Sequence, residues 1–186
     1  MNWVDAVEKA DEFLFLLIHT DADHQWLDPV MLILRNPFTW VPFYIFIAAY
    51  GVFKTGNFFW LLFTASIVVF SFTDILSAEI LKPLIGRERP CFNTDLKPFI
   101  RNIIDCGGIY SFPSSHACNH FGLATVWYLF FKQYAGVKWK WLFIWAGVIC
   151  YAQVYVGKHY PMDVLTGAGA GTIIGFAVMV ITNFCF

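Results

Sequence analysis

The sequence predicts an all-α, integral-membrane bundle of five to six transmembrane helices with an N-terminal interfacial helical segment, in a single domain over residues 1–186. Three observations predict it. Hydrophobic residues fill 59% of the chain and charged residues only 13%, where an ordinary soluble domain carries about 25% charge. Mean hydropathy is +0.61. The apolar residues also gather into long uncharged runs near the about 20 residues that a helix needs to cross a bilayer.

The first 36 residues hold two short apolar stretches, "DEFLFLLIH" and "WLDPVMLILRN", separated by the polar "TDADHQ". Each is too short to span and reads as an interfacial or re-entrant helix; paired as a hairpin, they would add a sixth span. His19 and His24 lie in this polar stretch and read as surface residues. Early acidic residues and the lack of a basic leader argue against a signal peptide. The spans follow at 37–53, at 55–73 running on through Asp74 and Glu79 to about Leu81, at 117–131, at 139–157 and at 164–186. Trp and Tyr near their ends read as interfacial belts. Gly167, Gly171 and Gly175, four apart in the last span, line one helix face with small residues and permit close packing.

With five spans, Lys54 and the loop holding Lys132, Lys138 and Lys140 share one side, while residues 82–116 and 158–163 share the other. Short lysine-rich loops stay in the cytoplasm, so 82–116 is expected outside. The cations of 82–101 argue the other way unless they serve a substrate. A net charge of -1 gives no reason to expect a nucleic-acid partner.

Three polar clusters then meet at that outer face: "KPLIGRERP", "PSSH" and "QVYVGKHYPMD". Ionisable groups at membrane depth are costly and mark functional sites by default. Lys82 and Arg89 are fixed cations on either side of a turn at Gly86, and arginine's donor fork suits phosphate oxygens. Ser114 stands where a helix begins, and the free N–H groups and positive dipole end there attract an anion. His116 falls in that first turn and can protonate a leaving group. His159 and Asp163 stand four apart, so the carboxylate can orient the imidazole and leave its other nitrogen to attack. The set describes phosphoryl transfer through a phosphohistidine, with no metal or other cofactor required.

These motifs resemble the type 2 phosphatidic acid phosphatase (PAP2) family, whose signature is K-x6-R-P, P-S-G-H and S-R-x5-H-x3-D. Lys82, Arg89 and Pro90 complete the first motif. Pro113, Ser114, Ser115 and His116 match the second, with Ser115 at the glycine position. His159 and Asp163 match the third, but Ala152 and Gln153 replace its Ser and Arg. The resemblance covers about residues 74–175. It implies His159 as nucleophile, Asp163 as its partner, His116 as general acid, and Lys82, Arg89, Ser114, Ser115 and Gln153 around the phosphate. Lys158 is an accessory candidate that could make up for the charge missing at Gln153, and Asn119 is another.

The implied activity is metal-independent hydrolysis of a lipid phosphate or diphosphate, such as undecaprenyl diphosphate, phosphatidylglycerol phosphate, phosphatidic acid or a lipid A phosphate. The protein would sit in a bacterial inner membrane with its site facing the periplasm, its partners the bilayer and the lipid. A lipid phosphotransferase and a catalytically silent lipid-binding or transport protein are the alternatives, the second suggested by Gln153. The membrane composition argues against a haloperoxidase of the related soluble fold. His120 reads as a core histidine, Arg87 and Glu88 as a solvated or ion-paired edge, and Asp74 and Glu79 as either interhelical partners or support for Lys82. Cys118, Cys150 and Cys185 read as core residues. Cys91 and Cys106 share one loop, and in an oxidising compartment a disulfide there would contribute about 3 kcal/mol in the chain-entropy model.

Overall fold

Helix α1, Trp3–Leu16, runs into a π turn at Leu17–Asp21; α2 follows at Leu27–Arg35. Residues 3–21 and 26–185 are described in this computed structural model; His24, Phe186 and the side chain of Cys185 lie outside them. Next come α3, Val41–Thr55, and α4, Phe59–Asp74, which continues as a π turn to Leu81 and as the short α5, Lys82–Ile85. A long loop leads to α6, Ser115–Tyr134, then α7, Trp141–Tyr155, and α8, Pro161–Cys185. The described residues are helical with no strand, as the composition predicts, and each expected span falls on a helix.

Two stretches, Pro37–Ile85 and Pro161–Thr182, are long and apolar enough to cross a bilayer. The first is two helices folded on each other: Gly56 ends α3 at φ +55°, and a methyl at Gly51 would stand 2.9 Å from Leu62 of α4. A continuous helix would hold those two residues about 16 Å apart. The helix widens just before Pro83, which has no N–H to give to the preceding turn and whose ring crowds that turn's carbonyl.

Helix α6 is central, flanked by α4, α7 and α8. Shielding by these neighbours is what lets it carry Asn119, His120 and Thr125 in buried positions. Its contact with α8 is the closest in the fold. A methyl at Gly167 would stand 2.5 Å from the Ser114 carbonyl oxygen and one at Gly175 2.7 Å from that of Gly122, while one at Gly171 would collide with that of Cys118. The glycine stripe therefore seats α8 directly on the α6 backbone. An aromatic cluster fills the other side: Trp127 and Trp145 stack with centroids 5.5 Å apart, and Phe43 lies 4.8 Å from Trp145. Trp127 and Trp145 are buried, so these two belong to the core rather than to an interfacial belt.

The N-terminal segment is part of the bundle. Phe15 and His19 are fully buried, which corrects the surface reading of His19. Its Nε2 accepts the Arg101 backbone N–H at 2.9 Å, so Nδ1 carries the proton and donates to the Tyr155 carbonyl at 2.7 Å. The ring fits because residue 157 is glycine; a methyl there would stand 3.1 Å from His19 Cε1. Cys118 and Cys150 are buried free thiols.

Gly171→Ala is expected to lower the thermal midpoint in detergent sharply, because backbone must move to admit the methyl. Gly169→Ala, which meets nothing within 4 Å, should be neutral or stabilise by roughly 0.5–1 kcal/mol through helix propensity. Equal midpoints for the two variants would refute the close packing.

Candidate active site

Three helix termini and one loop build the site. Ser114 caps α6: its Oγ accepts the Ala117 N–H at 3.4 Å, and its own N–H donates to the Asp163 carbonyl at 3.0 Å. The start of α6 is thereby tied to the start of α8. The first N–H groups of a helix have no partner within it, so this end presents donors to an anion.

At the start of α8, Asp163 Oδ2 accepts the Tyr160 N–H at 2.8 Å, half of a capping box closing the helix on itself. Pro161 is the first helical residue, a position that needs no N–H. His159 Nδ1 lies 3.5 Å from the same Oδ2, which is near but too long for a formed hydrogen bond. Accordingly, buried Nδ1 has no hydrogen-bond partner. Burial pushes the His159 ring below the ordinary histidine value; Asp163 pulls it up, and Arg89 and Lys82 push it further down. The ring is therefore neutral at neutral pH, the form in which an imidazole nitrogen has a free lone pair.

Arg87 proves central, where the sequence suggested only a solvated or ion-paired edge. Its Nη1 donates to Asp163 Oδ1 at 2.8 Å and its Nη2 to Asp11 Oδ2 at 2.7 Å. Asp11 Oδ1 in turn accepts the Met162 N–H at 2.9 Å, and the guanidinium lies 3.9 Å from the Tyr160 ring centroid. Both carboxylates are buried. The arginine thus fixes the Asp163 carboxylate against the His159 ring. A spacing pattern could not reveal this, because the partners are 76 positions away on either side.

Lys82 opens α5, and Gly86, at φ +68°, turns the chain after it. Arg89 is clamped by backbone carbonyls: Nε donates to Tyr110 at 3.2 Å and Nη1 to Cys106 at 2.6 Å. Cys106 is disulfide-bonded to Cys91, with Cα atoms 6.3 Å apart, so this link closes the loop that holds Arg89. Lys158 donates to the Asp105 carbonyl. A methyl at Gly107 would meet Lys158 Nζ at 3.1 Å and Arg89 Nη1 at 3.7 Å, which places the two cations side by side. Burial, then Arg89 and Arg35, push the Lys158 ammonium down to about 8, opposed by Asp105.

His116 lies within electrostatic reach of His159 and Lys82, and Lys82 of Arg89 and Asp163. The expected residues therefore converge. Ser115 Oγ and Gln153 Nε2 are buried without hydrogen-bond partners, the condition of groups awaiting a ligand's atoms. Asn119 is placed differently. Its Nδ2 donates to Asp74 Oδ1 at 3.1 Å and its Oδ1 accepts from Thr73 at 2.7 Å. Its amide is spent on joining α4 to α6 rather than on the anion site. Asp74 makes that bridge and also lies within reach of Lys82, while Glu79 is exposed. His120 is the buried core histidine expected; its ring lies parallel to that of His116, centroids 6.2 Å apart.

Residues 57–186 match the PAP2 superfamily. The lipid A 4'-phosphatase of Bacteroides thetaiotaomicron is 31% identical over 181 residues, 93% of this chain and 77% of that protein. The chain belongs to the PAP2 superfamily. A second relative, the lipid A 4'-phosphatase of Porphyromonas gingivalis, is 28% identical, covering 96% of this chain and 74% of its own. The crystal structure of the transmembrane PAP2-type phosphatidylglycerolphosphate phosphatase of Bacillus subtilis shares the fold, with a TM-score of 0.71 at 23% identity over 98% of this chain and 88% of that one. The PAP2 match begins at residue 57, so α1, α2 and α3 lie outside it.

Two outcomes test this geometry. Arg87→Met strands two buried carboxylates and should cost about 3–5 kcal/mol in detergent unfolding, with Arg87→Lys intermediate; an unchanged midpoint would contradict the ion-pair chain. Lys158 is cationic below about 8 and neutral above, so the inhibition constant of inorganic phosphate should rise as pH passes that value. Lys158→Ala should remove the alkaline limb, and a limb that persists in this variant would exclude Lys158 as its source.

Proposed function

We propose that this PAP2 protein is a metal-independent membrane phosphatase that hydrolyses a lipid phosphate or diphosphate through a phosphohistidine at His159. The observation that carries the reading is the convergence of Lys82, Arg89, the capped N-terminus of α6 with His116, and the His159–Asp163 pair at one end of the bundle. In the first step Nε2 of His159 attacks phosphorus, the bond from phosphorus to the lipid oxygen breaks, and His116 gives that oxygen its proton. In the second, water attacks the phosphohistidine, His116 takes the water's proton, and inorganic phosphate leaves with His159 restored. Asp163, held by Arg87, steadies the imidazolium-like charge on the ring. Lys82, Arg89 and the N–H groups beside Ser114 and Ser115 hold the phosphoryl oxygens, with Gln153 and Lys158 adding donors.

A lipid substrate is supported by a groove of about 490 Å³ lined by Tyr44, Phe63, Ile67, Phe70, Leu123 and Trp127, with His120 at its wall one helical turn from His116. The groove is open along an apolar face, as lateral entry of a lipid requires. The two relatives that align with nearly the whole chain act on lipid A at its 4'-phosphate by name, so a lipid A-type phosphate is the first substrate to try. Lys54 and the lysines at 132, 138 and 140 stand at the bundle end opposite the site, while Arg87 and Arg101 are ion-paired and count little as topology signals. Both facts favour a site on the periplasmic face of the inner membrane.

The test is phosphate release by detergent-purified protein on a panel of lipid mono- and diphosphates with EDTA present. Wild type should turn over, and His159→Ala should fall by at least about 10³-fold, as expected for loss of a covalent nucleophile. His116→Ala should lose turnover as well, since the proton transfers of both steps run through that ring. Turnover that survives His159→Ala would sink the mechanism; turnover lost in EDTA and regained with metal would sink the metal-independent reading.

A further inference from the structure

The third PAP2 motif places an arginine where this chain has Gln153. Gln153 is buried, and its Nε2 has no hydrogen-bond partner. It can donate to a phosphoryl oxygen but cannot neutralise one.

Helix α2 packs on α7 at this level. Met31 is buried against Ala152, Tyr155 and Val156, the residues on either side of Gln153. Asp28 Oδ1 anchors the upper end of α2, accepting from Tyr155 Oη at 2.8 Å and from Arg101 Nη1 at 3.1 Å. The lower end is fixed where the helix stops. Asn36 N–H donates to the Ile33 carbonyl at 3.1 Å, and Trp40 Nε1 donates to that of Leu34 at 2.8 Å. Arg35 stands four residues after Met31, on the same face of α2, and therefore on the side that meets α7.

The surroundings of Arg35 are unusual for an arginine. Its Nε is buried, and among the described residues its guanidinium has no hydrogen-bond or ion-pair partner. Arg89, Lys158 and His116, all residues of the candidate anion site, lie within its electrostatic reach. An arginine in the last turn of a helix gains from the helix dipole, but that gain needs no burial beside other cations. Burying a cation among like charges is unfavourable unless an anion sits between them.

We propose that Arg35 is the third fixed cation of the phosphate site, delivered by α2 from outside the PAP2-matched region in place of an arginine at position 153. It binds the oxygens of a phosphoryl dianion, whether on a lipid headgroup or as the free ion. As the ligand of the reacting group it rests on the phosphatase reading above, and the experiment separates the two.

The experiment uses the full chain in detergent, as wild type, Arg35→Gln, Arg35→Lys, Arg89→Gln, Gln153→Arg and Arg35→Gln/Gln153→Arg. Each is measured for the shift of thermal midpoint with orthovanadate, for inhibition by inorganic phosphate, and for kcat and KM on a lipid phosphate. Arg35→Gln should weaken vanadate binding by about 10–100-fold, the value of a charge-assisted contact, with Arg35→Lys between it and wild type. Adding Gln153→Arg to Arg35→Gln should recover at least tenfold, which repair of a merely structural defect would not do. Vanadate binding unchanged in Arg35→Gln but lost in Arg89→Gln would overturn the inference, and so would a double variant no better than Arg35→Gln. A wild type that vanadate stabilises but that releases phosphate from no lipid defeats the phosphatase reading alone. A wild type that vanadate does not stabilise defeats both. Vanadate and inorganic phosphate read the free ion, and KM reads the headgroup; a loss in both series places Arg35 on the shared phosphoryl group.

Discussion

Helix α8 lies on the backbone of α6 without side chains between them, and the rest of the site depends on that contact. With Gly167, Gly171 and Gly175 at the interface, the two helices approach until a methyl would strike a carbonyl oxygen. In an apolar solvent, helix association rests on such packing rather than on the hydrophobic effect. The close approach has a chemical result. It brings the capping residue of one helix within hydrogen-bond distance of the first turn of the other, Ser114 N–H to Asp163 carbonyl. Two helix N-termini, each with unpaired N–H groups and a positive dipole end, then open into the same space. The proposed general acid sits on one and the proposed nucleophile just ahead of the other. A bulkier interface would separate His116 from His159 before any charged residue was altered.

The charges divide into two sets. Arg87, Asp11 and Asp163 form a compensated chain, and their role is to hold still. Lys82, Arg89, Lys158 and Arg35 form no such ion pair: Arg89 and Lys158 donate to backbone carbonyls, and Asp163, Asp74 and Asp105 act on Lys82, Arg89 and Lys158 only from a distance. A buried excess of cations is expensive in the free protein. It is also the arrangement that favours a dianion and, more strongly, the charge that spreads over its oxygens during transfer. Preorganisation here comes from the disulfide-closed loop that clamps Arg89 and from the capped turn that sets Asp163.

Much of this was legible in the chain. The five long apolar runs fall on α3, α4, α6, α7 and α8, because runs near 20 residues have few alternatives once the solvent is lipid. The motif residues of the site could be read because each cluster is local and chemically peculiar. What could not be read is what distant segments do to one another. Asp11 sits in an amphipathic helix and looks like any surface acid until Arg87 meets it. His19 lies next to the polar "TDADHQ", and only the glycine at 157 makes room to bury it. Asn119, one turn from a catalytic candidate, was drawn toward the site by proximity in sequence, whereas Thr73 and Asp74 of α4 take up its amide. Arg35 gave no signal, since it belongs to no motif and its surroundings come from α6, α7 and two loops.

The hydrogen bond from Met162 to Asp11 joins residues 151 positions apart. During synthesis the early residues emerge first and wait while α3 to α7 are made. Until residues 159–163 emerge the proposed nucleophile is missing, Arg87 has Asp11 but not Asp163, and the Ser114 N–H has no Asp163 carbonyl to meet. A nascent chain that stops short of residue 159 therefore holds Lys82, Arg89 and His116 without the proposed nucleophile or its carboxylate.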